Sequence, residues 1–209
     1  MKLINRTLSV LTKPTQYFRN INKETGLKDA FIFFAVYSLI FGIIGLVVGY
    51  LMKDLMPSLY SYLGLDILTQ IIEKSQAAYN IRMVIFMFVI GYPIGLALSF
   101  LAAALLHVWI LIFDGKADYK KTYQLYVYTS TPKFIFGWIP FIGLFSSIYS
   151  LILLIYGTTE VHKIKLRTST LMYIIPYVVL ILLAIAVMVF AFLILSKLPL
   201  TTLEGAAIR

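Results

Sequence analysis

The chain has 209 residues, 61% of them hydrophobic and only 13% charged, with a formal net charge of +9 and a mean hydropathy of +0.91. A soluble domain carries about 25% charged residues, so an ordinary water-soluble fold is excluded and an all-α polytopic transmembrane helical bundle is predicted. The absence of cysteine excludes disulfides, Cys-ligated metals and thiol nucleophiles. The positive charge in so apolar a chain reads as orientation signal and lipid attraction, with no nucleic acid as partner.

Residues 1–29 hold six Lys/Arg and no unbroken apolar stretch, which is not the pattern of a cleaved signal peptide. They form a basic amphipathic segment. Ile4, Leu8 and Leu11 share one helical face, and Pro14 ends that helix before Tyr17, Phe18 and Ile21. Such a segment is predicted to lie on the cytoplasmic leaflet or to serve as a plain topogenic tail. In the first case Lys2, Arg6, Lys13 and Arg19 meet anionic lipid headgroups, each adding about 1 kcal/mol.

A bundle is predicted over 30–196, followed by a short polar tail over 197–209. Its spans are expected at 30–52, 83–113, 122–138, 140–156 and 169–196. The loop from Lys53 to Arg82 contains a helical pattern over Asp66–Tyr79, with Leu65, Leu68, Ile71 and Ile72 apolar. The run 83–113 would reach about 46 Å as a straight helix against a core of about 30 Å. A kink at Gly91-Tyr92-Pro93, or first turns outside the core, is therefore expected. The segment 122–138 is short and rich in Tyr and Thr, so the alternative is four spans plus a re-entrant or interfacial segment.

Charge arithmetic favours five spans. With a cytoplasmic N-terminus, twelve basic residues fall inside and five outside; with four spans the division weakens to eleven against six. Short basic loops beside span ends carry the orientation signal.

Small residues recur at helical spacing: Ser38, Gly42, Gly45 and Gly49 in the first span, Gly91, Gly95, Ser99 and Ala103 in the second, and Gly143, Ser147 and Ser150 in the fourth. Such stripes let helix backbones approach one another, within one chain or against a membrane-protein partner or second copy. The last span, rich in Leu, Ile and Val, is expected to face lipid.

The most polar membrane segment presents Tyr119, Tyr123 and Tyr126 on one face, with Lys133 a heptad further on. With His107 these residues make the candidate functional face, since ionisable groups inside a membrane are costly and usually have a role. His107 is read as an interhelical hydrogen-bonding anchor or a proton relay, and His162 as a solvated loop residue. No pair of carboxylates lies inside a span. No metal-ligand spacing, nucleophile elbow or phosphate loop is present in the sequence, so no enzyme and no cofactor is predicted.

The order of Pro14, Tyr17-Phe18, Gly115, Tyr126, Tyr128, Pro132, Ile139-Pro140, Gly143, Tyr149, Gly157, His162 and Ile164 resembles the Yip1 domain family over residues 8–195. The resemblance implies a compact five-helix membrane bundle with a cytoplasmic N-terminus. Its eukaryotic branch is associated with Rab GTPases and vesicle traffic. This chain lacks the D-L-Y-G-P stretch of that branch and has a short N-terminal segment, so Rab binding is not carried over and a prokaryotic cell membrane fits better. The function expected is a non-enzymatic scaffold or adaptor in membrane organisation or membrane-protein assembly. A small channel or transporter subunit, with a polar path along the third span, is the alternative.

Overall fold

A computed structural model describes residues 2–53, 55–62, 64, 69–70, 80–139 and 142–195. The helical pattern over Asp66–Tyr79, Pro140 and the tail at 197–209 lie wholly or largely outside them. The described residues are helical and contain no strand. They divide into two compact units, Met1–Leu166 and Arg167–Arg209.

The first unit begins with two short helices, α1 (Lys2–Thr12) and α2 (Pro14–Asn20), and a 3-10 turn at Ile21–Lys23. Pro14 ends one helix and opens the next. Its missing N–H falls in a first turn, where that donor has no helical partner anyway. Then come α3 (Lys28–Leu51), α4 (Leu55–Tyr62) and α5 (Ile81–Ile112). The Asn80 side chain caps α5 by accepting from the Arg82 amide at 3.0 Å. The α5 helix continues through Pro93 for its whole 32 residues.

The region expected as the third span is a pair, α6 (Tyr119–Thr129) and α7 (Thr131–Phe136). Asp118 caps α6, accepting from the Lys121 amide at 3.1 Å. The break has a local cause. Pro132 has no N–H to offer the Tyr128 carbonyl, and the Thr131 hydroxyl takes that carbonyl instead at 2.6 Å. Thr129 and Ser130 bond back to Leu125 and Tyr126 carbonyls at 2.9 and 2.8 Å, a pattern that bends helices.

The unit closes with α8 (Ile142–His162). The α8 helix runs through Gly157 to His162, and Gly157 marks a close approach. A Cβ there would overlap the Leu125 side chain and come within 3.3 Å of the Phe18 ring. The α6–α7 pair is central to the unit, packed on α3 and α8, with α5 against α6 and α2 along α8. The second unit is α9 (Leu166–Leu195), with Pro176 inside it and exposed apolar side chains from Tyr177 to Ala191. A helix apolar on every side belongs in lipid.

Four helices among the described residues are long and apolar enough to cross a membrane: Lys28–Leu51, Arg82–Ile112, Ile142–His162 and Leu166–Ala191. The α6–α7 pair is outside this set, and α6 alone reaches about 16 Å at 1.5 Å per residue.

The small-residue stripes are used unevenly. Ser38 bonds back to the Ala35 carbonyl at 3.3 Å, and a Cβ on Gly42 would overlap the Phe88 ring of α5. Ser99 and Ala103 are buried. A Cβ at Gly45, Gly49, Gly91 or Gly95 meets no described atom within 4 Å. This contrast sets an expected outcome. Gly157→Val is overpacked and should lose about 1–3 kcal/mol of stability. Gly45→Ala should be neutral or slightly stabilising. Thermal midpoints of the detergent-solubilised variants check both.

Candidate functional site

The polar face read from the sequence becomes an internal hydrogen-bonded core around α6. Thr122 and Tyr123 are fully buried, and Tyr119 and Tyr126 are partly so. Tyr119 donates to the Phe100 carbonyl at 2.8 Å. Tyr123 stacks on Phe100, with ring centroids 4.5 Å apart, and its hydroxyl lies 3.2 Å from that of Ser99. Tyr126 faces Phe34 of α3 at 6.1 Å. Lys133 does not join them. Its face would require one continuous helix, and the break before Pro132 leaves Lys133 exposed on α7.

His107 lies in this core and brings a partner the sequence placed elsewhere. Its Nδ1 is 2.7 Å from the Thr122 hydroxyl, which lies 3.0 Å from Nε2 of His162. Far from being solvated, His162 is fully buried. Three helices thus meet at one hydroxyl. Its single proton serves one imidazole, while a lone pair accepts from the other. His162 Nδ1 has no hydrogen-bond partner among the described residues. A Cβ on Gly115 would come within 3.0 Å of it and would overlap Ile110. The turn after α5 is also bonded to this point, the Lys116 amide donating to the His162 carbonyl at 3.2 Å. No group of three or more His, Cys, Asp or Glu able to hold a metal occurs among the described residues.

A second constellation ties the N-terminal segment to the bundle. The segment expected on the leaflet or as a topogenic tail packs against the bundle. Val10, Phe18 and Ile21 are buried, while Ile4 and Leu8 remain exposed. Thr7 pairs with the Tyr37 hydroxyl at 2.6 Å, and Tyr149 of α8 donates to the Leu11 carbonyl at 2.6 Å. Arg6 binds Asp29 at 2.7 Å and Glu24 at 3.4 Å, and Arg19 binds Glu160 at 3.1 Å. Two of the four predicted headgroup contacts are therefore engaged in ion pairs. Lys13 is exposed. From α6, Tyr128 donates to both Glu24 carboxylate oxygens, at 2.9 and 3.2 Å. Gln124 and Lys121 donate to Gly26 and Ile21 carbonyls at 2.7 and 2.8 Å, and Lys121 also to that of Glu24.

Between α1 and α2 lies a cavity of about 300 Å³, with Arg6, Tyr17 and Glu24 among its inner lining and Lys13, Gln16 and Asn20 at its rim. The Tyr17 ring packs edge-on against Tyr128, centroids 5.3 Å apart. Its hydroxyl is buried with no hydrogen-bond partner of good geometry. Burial, and then the neighbouring Glu24 carboxylate, push its ionisation well above the usual phenol range. The hydroxyl therefore stays protonated and able to donate.

The Yip1 domain profile matches residues 8–188. The chain belongs to the Yip1 domain family. No curated protein and no solved structure gives a match. Within this Yip1 domain, residues that carried the sequence resemblance meet in space. Phe18 packs on Gly157, Gly115 lies against His162, Tyr17 touches Tyr128, and the Gly143 amide donates to the Ile139 carbonyl at 2.9 Å. Sequence reading missed Thr122, Gln124 and Glu24 as central residues. No spacing rule marks a threonine between two histidines 55 positions apart, or a loop glutamate beneath a tyrosine 104 positions later.

Proposed function

We propose that this Yip1 domain protein is a non-enzymatic membrane scaffold or adaptor, in membrane organisation or membrane-protein assembly. The observation that carries the reading is the use of polar groups on α6. Thr122, Tyr123, Gln124 and Tyr128 are all fully buried, and their hydrogen bonds go to side chains and carbonyls of the same chain. A path for a solute needs polar groups that face it. Here they fasten α3, α5, α8 and the N-terminal segment around α6. The open glycines of α3 and α5, Gly45, Gly49, Gly91 and Gly95, leave room for a partner helix or a second copy to approach closely. The asymmetry of basic residues supports a cytoplasmic N-terminus, and the missing D-L-Y-G-P stretch supports a prokaryotic cell membrane. In that orientation α6 and α7 together make the short third pass.

Single cysteines along 122–138 in this Cys-free chain test the reading with a membrane-impermeant thiol reagent. Thr122→Cys, Leu125→Cys and Thr129→Cys are expected to stay unlabelled in the folded protein and to label after denaturation. Labelling of one continuous face in the folded state would replace the scaffold with a channel or transporter. Lys165→Cys should label only from the cytoplasmic side; labelling from outside would overturn the five-pass arrangement.

A further inference from the structure

We propose that the cavity between α1 and α2 is a water-filled vestibule. It reaches about one leaflet into the membrane from the side where α3 begins and α8 ends. This goes beyond the scaffold reading, since such a vestibule stands with a scaffold or a channel alike.

Two contacts fix the depth of α1. The Thr7 hydroxyl meets that of Tyr37, about 14 Å along α3 from its start at Lys28, at 1.5 Å per residue. Tyr149 meets the Leu11 carbonyl about 20 Å along α8 from its end at His162. Both α3 and α8 are long and apolar enough to cross a membrane, and one hydrocarbon leaflet is about 15 Å thick. The outer face of α1 agrees with that depth. Ile4 and Leu8 are exposed there, at 62% and 54%, and acyl chains cover such a face at lower cost than water does.

The cavity side of the hairpin has the opposite character. Lys13, Gln16 and Asn20 follow one another at helical spacing along α2, all exposed and all lining the cavity. Lys13 has no ion-pair partner among the described residues. Polar groups carried to this depth are stable only where water reaches them, because hydrocarbon offers them no hydrogen bonds. The cavity supplies the room, its volume of about 300 Å³ holding several waters at about 30 Å³ of liquid each. It also leads to the membrane surface. From the level of Tyr149, α2 rises to the Arg19–Glu160 pair beside the end of α8, and Glu24 beyond it lines the same cavity. The helix break at Pro14 fits as well, since non-helical backbone at membrane depth is tolerated where it lines water. The hydrocarbon between the vestibule and the opposite surface is thereby reduced to about 15 Å, half of an unperturbed core.

The test uses the full Cys-free chain in vesicles of phosphatidylcholine and phosphatidylglycerol, with a nitroxide spin label on single cysteines. Collisions with oxygen, which concentrates in hydrocarbon, are compared with collisions with a neutral, water-soluble nickel chelate present on both sides of the membrane. Lys13→Cys and Gln16→Cys should be reached by nickel. Their nickel-to-oxygen ratio should exceed that of Ile4→Cys and Leu8→Cys at least about tenfold, because the chelate is costly to move into hydrocarbon. All four positions are exposed, so the label displaces no buried side chain. A nickel-to-oxygen ratio at Lys13→Cys and Gln16→Cys as low as at Leu8→Cys means a dry cleft and overturns the vestibule. A high ratio at all four positions puts the hairpin in bulk water and overturns its depth. Either failure leaves the scaffold reading standing, since that is tested by labelling along 122–138.

Discussion

Phe18→Ala is expected to cost about 3–5 kcal/mol of stability, the range for truncating a fully buried aromatic side chain. Phe18 has no exposed surface and lies edge-on to Tyr17, 5.6 Å between centroids. Its ring occupies the notch that Gly157 leaves in α8. Emptying that notch leaves a cavity between α2 and α8. The Arg19–Glu160 pair joins α2 to α8, and the Tyr149–Leu11 hydrogen bond joins the preceding helix α1 to α8. The measurement is the denaturant-induced unfolding of the protein in detergent micelles. Leu8→Ala, on the exposed face of the neighbouring helix, serves as comparison and should move stability by less than about 0.5 kcal/mol, as surface changes do. A loss below that of Leu8→Ala would mean that the N-terminal hairpin is not docked on α8.

Thr122→Val is the second large effect. The change is nearly isosteric but strips the hydroxyl that bridges His107 and His162. His162 already has one nitrogen without a partner, and the substitution strands the other. His107 loses its 2.7 Å contact as well. Stranding the fully buried His162 nitrogen costs about 1–3 kcal/mol, and the partly buried His107 adds less, so the loss should be plain in the thermal midpoint. The effect is not additive. In a His162→Phe background the same substitution should cost less, because one of the two groups it strands is already gone. An equal loss in both backgrounds would mean that the bridge through Thr122 does not form. Thr122→Ser keeps the hydroxyl and should recover most of the stability.

Much of the architecture was legible before any coordinates. Long apolar runs predict long helices because a backbone in lipid must satisfy its own hydrogen bonds, and α3, α5, α8 and α9 lie where those runs are. The family was legible too, from the order of residues such as Tyr17-Phe18, Gly157 and His162, and the profile match over 8–188 establishes it. The role of Gly157 inside α8 was not legible: it serves as the notch for Phe18; a glycine inside a helix costs about 1 kcal/mol against alanine, and the close packing it allows offsets that. The continuous face from Tyr119 to Lys133 was misread. Its spacing assumed a helix that Pro132 interrupts.

The polar side chains were the least legible. Hydropathy assigns Arg6 and His162 to water or headgroups because each is costly to bury alone. Whether a partner exists depends on segments more than 100 positions apart in the chain, as for Glu24 and Tyr128. By itself, then, the sequence determined the solvent, the helical class, the long apolar elements and the family, all of which follow from local composition and residue order. The tertiary structure alone decided that the N-terminal segment is part of the bundle, that two distant histidines share one threonine, and that α6 is its hydrogen-bonded centre. Those outcomes depend on pairing between remote groups, and a polar group in a low-dielectric interior is placed by the partner it finds.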